Sequence, residues 1–124
     1  MDGDVPPDAV ALSQAVVDLA IVSWRTSRLC ARVIGRLDAG EGERYANQLR
    51  FLQRKVVEQI EAAGMSLVSV EGQPFDPGVA ASAVNLGDFS PEDELLVDHM
   101  IEPIIMGPDG LVKEGVVTLR RAHE

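Results

Sequence analysis

The side chains best suited to chemistry in this 124-residue sequence are His99, His123, Cys30 and the acids Asp88, Glu92, Asp93, Glu94 and Asp98. His99 falls in an alternating, strand-like segment and His123 in the C-terminal tail, and neither has the spacing to a second His or Cys that a zinc site needs. The acids stand side by side without the glycine-turned spacing of a calcium loop, so solvated charge is their expected role. A hydrolase built on Glu92, Asp93 or Glu94 would need a pocket or a metal to raise one carboxyl and seat a substrate. Gly107, Gly110 and Gly115 lack a following Gly-Lys-Ser/Thr or helix start, so no phosphate cradle is visible. No catalytic residue, metal ligand or cofactor is expected, and the chain reads as a non-enzymatic partner protein.

Charge narrows the kind of partner. The formal net charge is −9, and it is unevenly placed: residues 1–64 carry eight Lys and Arg against nine Asp and Glu, residues 65–124 three against eleven. An acidic C-terminal half repels DNA and RNA, whose binding rests on Lys and Arg displacing phosphate counterions. A protein with a basic surface is the better match. Cys30, the single cysteine, excludes an internal disulfide and reads as a small buried hydrophobe. The first residues lack a basic stretch leading into an apolar run, and no apolar run approaches a membrane span, so a cytoplasmic protein without a membrane partner is expected.

The elements that would position a binding surface follow from periodicity. Residues 1–7, with Pro6 and Pro7, predict a disordered arm, and Asp8 a helix start. A first helix is expected from Asp8 to Leu37, apolar on more than one face through Trp24 and then studded with Arg25, Arg28, Arg32 and Arg36. Asp38-Ala39-Gly40-Glu41-Gly42 breaks it. A second helix is expected from near Glu41 to Gly64, with Tyr45, Leu49, Leu52, Val56 and Ile60 as its apolar stripe and Gly64 as a left-handed cap. Beyond Gly64 the period shortens towards two. Leu67–Val70, Leu95–Ile101, Pro103–Met106, Leu111–Lys113 and Gly115–Leu119 read as short strands, Val79–Val84 as a small apolar segment, and Ser90-Pro91-Glu92-Asp93 as a loop rather than a helical turn. The fold class is therefore α+β: a helical hairpin over residues 8–64, then a small β domain over residues 65–124.

Several motifs in that order resemble the GrpE family, nucleotide exchange factors for DnaK-type chaperones, over roughly residues 49–122. They are a helix ending in Gly64-Met65, then Leu67-Val68-Ser69-Val70-Glu71-Gly72-Gln73-Pro74-Phe75-Asp76-Pro77, and finally Glu114-Gly115-Val116-Val117-Thr118-Leu119. The chain would be a divergent, short member lacking most of the family's long N-terminal helix. Members usually carry a His where this chain has Ala80, and a Gly-Tyr pair near Pro103-Ile104.

The resemblance implies a co-chaperone that binds the ATPase domain of a DnaK-type chaperone and promotes ADP release by favouring the open cleft. It implies partner contacts at Phe75, Met100, Ile101, Lys113, Val117 and Leu119, and a structural turn at Asp76 and Pro77. Two hairpins would form a homodimer through a four-helix bundle, with Leu12, Val16, Leu19, Leu49, Leu52 and Val56 at its base. An adaptor or assembly protein of the same fold with a different protein partner remains the alternative, motivated by Ala80, Pro103 and the short first helix.

Overall fold

The computed structural model describes residues 7–123, which form two compact units dividing at Ala63 and Gly64. Residues 1–6 of the expected arm lie outside the described residues, and Pro7 already opens the first helix, where its missing N–H costs nothing.

The first unit is a hairpin of α1 (Pro7–Ile34) and α2 (Ala39–Ala62). The break comes earlier than its glycines predict. α1 stops at Ile34, and Gly40 and Gly42 lie inside α2. The reason is the cap: Asp38 has extended backbone, and its Oδ1 accepts from the Glu41 N–H at 3.0 Å, fixing the start of α2 at Ala39. Gly42, inside α2, donates its N–H to the Asp38 carbonyl at 2.7 Å, the first bond of the helix. At the other end Ala63 N–H bonds to the carbonyls of Gln59 and Ile60, and Gly64 takes φ +85°, the left-handed conformation expected of a glycine cap. Val17, Ala20 and Ile60 are the buried apolar residues of this hairpin. No described helix is long and apolar enough to cross a membrane.

The second unit holds six strands and one 3-10 turn (Leu86–Asp88). β1 (Ser66–Val68), β4 (Ile104–Gly107) and β5 (Gly110–Lys113) form one antiparallel sheet in the order β1-β4-β5. β2 (Ala81–Ala83), β6 (Gly115–Arg121) and β3 (Leu95–Glu102) form the other, with β2 parallel to β6 and β3 antiparallel to it. Pro108 and Asp109 make the two-residue turn between Gly107 and Gly110, and Gly110 has φ +119°. Ser90 to Asp93 is a turn, closed by Asp93 N–H to the Ser90 carbonyl at 3.0 Å. Helical hairpin followed by β domain is thus the architecture, an α+β fold.

Val97, Met100, Ile104, Ile105, Val117 and Leu119, with Ala81, form the core of this unit. The alternation of β6 explains two of these: Val117 and Leu119 are buried, as is Gly115, while Val116, Thr118 and Arg120 are not. Gly115 sits at the tightest point, since a Cβ there would meet Met100 Cε at 2.8 Å, Ile104 Cγ1 at 3.0 Å and the Glu102 carbonyl oxygen at 3.1 Å.

Candidate functional site

Phe75 is positioned by a short extended segment alongside β3. Gly72 N–H bonds to the Val97 carbonyl at 2.8 Å, Val97 N–H to Gln73 at 2.9 Å, and Phe75 N–H to Leu95 at 2.9 Å. The segment therefore covers the free edge of β3 and brings a half-buried Phe75 to its N-terminal end. Asp76 and Pro77 close the chain behind it. Asp76 Oδ1 accepts from Gly78 N–H at 2.7 Å and its carbonyl from Val79 N–H at 3.0 Å, a side-chain turn and a backbone turn on the same residue. Their structural role is satisfied locally.

Glu71, which precedes that segment, makes a contact that strand patterns do not reveal. Its Oε2 accepts from Met100 N–H at 2.8 Å, where the pairing of β3 with β6 slips, and Met100 Sδ in turn accepts from Val70 N–H at 3.2 Å. A carboxylate thus satisfies a backbone donor that the slipped pairing leaves over.

Three of the expected partner contacts are corrected. Met100, Val117 and Leu119 are 1%, 0% and 3% exposed. They build the interior because β3 and β6 turn these alternate side chains inward, so a partner meeting the folded unit does not touch them. Phe75, Ile101 and Lys113 remain accessible in part, and the fold separates them. Phe75 lies by Leu95 and Ile101 six residues further along β3, about 20 Å away at strand rise. Lys113 lies by Glu102 at the end of β3: its Nζ is 3.6 Å from Glu102 Oε1. Leu111 and Val112, exposed on the edge strand β5, directly precede Lys113, an apolar and charged stretch that the sequence reading missed. The signal for it was available, since two apolar residues in succession on a short strand cannot both face the core.

The acidic loop is tied down rather than open. Arg121 Nε lies 3.3 Å from Asp93 Oδ2, with its guanidinium 5.3 Å from the Phe89 ring centre. His123 Nε2 lies 2.8 Å from Glu94 Oε2, and Ala122 N–H bonds to the Glu94 carbonyl. Glu92 accepts from the Ser90 hydroxyl, and chiefly for that reason its carboxyl is held below the usual glutamate range. A depressed carboxyl stays ionised at neutral pH, which is the opposite of what a general acid requires. Among the described residues no group of His, Cys, Asp and Glu is arranged to hold a metal. His99 is exposed beside Asp98, and Cys30 is a half-buried free thiol rather than a fully buried one.

On the hairpin, Val16 and Leu19 of α1 come together with Leu52 and Val56 of α2, and with Ala20 and Ile60 they line an open apolar groove of about 370 Å³. Leu12 and Leu49 do not line it. Leu12 instead begins a row of exposed residues along α1: Leu12, Ala15, Leu19, Val22, Thr26, Leu29 and Val33, at alternating steps of three and four. That spacing is the seam of a coiled coil, and five of its seven members are Leu or Val. It escaped the sequence reading because α1 is apolar on other faces too, which masks a single period.

No family model, no curated protein and no solved structure matches the chain.

Proposed function

We propose that this chain is a GrpE-like co-chaperone: a dimer whose β unit binds the ATPase domain of a DnaK-type chaperone and stabilises its open cleft, so that ADP leaves faster. The observation that carries this reading is the succession of parts. A hairpin ends at left-handed Gly64, a segment lays Phe75 along a strand, Asp76 and Pro77 turn the chain behind it, and two small sheets follow. This is the order in which the motifs of the resemblance occur. The factor needs no catalytic group, because a ligand that binds one of two conformations better shifts their populations by that difference in affinity alone.

In this reading the chaperone meets the edge strand β5, where Leu111 and Val112 are exposed next to Lys113, an apolar stretch with one cation on an acidic unit. The exposed seam of α1 takes a second copy of the chain, because burying an aligned row of apolar side chains removes it from water along the whole helix. The protein acts in the cytoplasm and uses no cofactor or nucleic acid.

The test is release of fluorescent ADP from a DnaK-type chaperone of the same cell, with and without the protein. Acceleration that saturates with added protein supports the proposal. No acceleration with any such chaperone removes it and leaves the adaptor reading, which the burial of Pro103 and Ile104 favours: this chain has core residues where the family has its Gly-Tyr pair.

A further inference from the structure

The hairpin carries a second surface, whose centre, Phe51, lines neither the groove between the helices nor the α1 seam. Residues 44–55 of α2, Arg-Tyr-Ala-Asn-Gln-Leu-Arg-Phe-Leu-Gln-Arg-Lys, hold four cations and no acid in a chain of net charge −9. Ile60 is buried, and Phe51, nine residues before it, lies about 180° around the helix, at the centre of the outward face. Phe51 is 50% exposed. Arg54 and Lys55 stand 6.0 and 5.6 Å from its ring centre, Arg50 is its immediate neighbour in the chain, and Arg44 lies about two turns earlier. Asn47, Gln48 and Leu52 line a shallow depression with it. Lys55 is also 3.7 Å from Glu58. An exposed aromatic beside Arg54 and Lys55, on a stretch that also carries Arg44 and Arg50, has the composition of an interface anchor, since aromatic residues and arginine are the types enriched there.

From this we infer that the outward face of α2 around Phe51 is a docking surface for an acidic peptide segment of another protein, with an apolar side chain of that segment seated against Phe51 and Leu52. Charge complementarity selects the occupant. A nucleic acid strand fits less well: the face spans only about 16 Å of helix from Arg44 to Lys55, offers one aromatic where successive bases need several, and belongs to a strongly acidic protein. A second copy of the chain is better served by the seam of α1, whose apolar row needs no counter-charge. A short acidic segment requires only local attraction, which arginine supplies in bidentate form to carboxylates.

The experiment uses fluorescence anisotropy of the full chain with four labelled probes. They are a peptide of Glu and Asp with Leu at every third or fourth position, the same peptide with Gln for Leu, the same with Lys for the acids, and a short oligothymidylate. The acidic, Leu-bearing peptide is expected to bind most tightly and to weaken as salt rises. Phe51→Ser and, separately, Arg54→Glu are expected to weaken it about tenfold or more, with helix content by circular dichroism unchanged. Arg50→Glu serves as the second charge variant should Arg54→Glu unfold. No binding of the acidic peptide, binding that these variants leave undiminished, or equal or tighter binding of the oligothymidylate would overturn the inference. No chaperone enters this assay, so its outcome is separate from that of ADP release.

Discussion

Asn85 completes the sheet that β2 leaves unfinished, by pairing its side chain with the backbone of Leu119. β2 runs beside β6 only to Ala83, and Val84 N–H then reaches the Val117 carbonyl at 3.0 Å. Asn85 Nδ2 donates to the Leu119 carbonyl at 3.0 Å, and its Oδ1 accepts from Leu119 N–H at 2.8 Å. A carboxamide offers one donor and one acceptor as a peptide group does, so it stands in for the next residue of the strand.

Asn85→Ala therefore strands a part-buried donor and acceptor beside the core residue Leu119. A loss of about 1–3 kcal/mol is expected, read from urea unfolding of the full chain. Asn85→Asp keeps the acceptor but sets a carboxylate oxygen against the Leu119 carbonyl, and is expected to lose at least as much. A parent-like midpoint for Asn85→Ala would show that water replaces the pair at no cost.

Gly115→Ala is expected to destabilise by about 1–3 kcal/mol through overpacking. The Met100 methyl can swing away from the added Cβ, but the Glu102 carbonyl at 3.1 Å belongs to the backbone of β3 and cannot. A stability equal to the parent would mean that β3 shifts more freely than its pairing with β6 implies.

These positions also mark what could be read from sequence. The shift of period at Gly64 is a local property, so the two units and nearly every strand were legible. The parallel pairing of β2 with β6 was not, because partners 34 residues apart leave no local trace. Glu71 reads as a solvated acid until the slip in β3 supplies a donor for it. Met100, Val117 and Leu119 looked like contacts because a resemblance marks positions without saying which way the pleat turns them. Gly40 and Gly42 looked like a break, yet the capping side chain of Asp38 decides where α2 begins.

The Glu92 carboxyl has its pKa lowered chiefly by the Ser90 hydroxyl. Since the folded value lies below the unfolded one, the stabilisation is complete above the unfolded glutamate range and is lost as pH falls through the folded value. Carbon-detected NMR titration should place the Glu92 midpoint below the usual glutamate range, and Ser90→Ala should move it upward. An unchanged midpoint in that variant would assign the depression to another donor.

The seam of α1 predicts self-association. Sedimentation at micromolar concentration should give twice the single-chain mass of 13.4 kDa, and a Leu19→Ser, Leu29→Ser double variant should sediment as one chain with its β unit intact. Leu19 and Leu29 are 65% and 57% exposed, so the hairpin does not need them to close. A parent that sediments at the single-chain mass would contradict the seam.

Exchange activity is tested most directly by the rate of fluorescent ADP release from a DnaK-type chaperone as the protein is titrated in. A rate that rises to a plateau with the parent, and that falls about tenfold or more at subsaturating concentration with Lys113→Glu or Leu111→Asp, is the predicted result. A rate that stays at the value of the chaperone alone, across the chaperones of the same cell and at saturating protein, would contradict it.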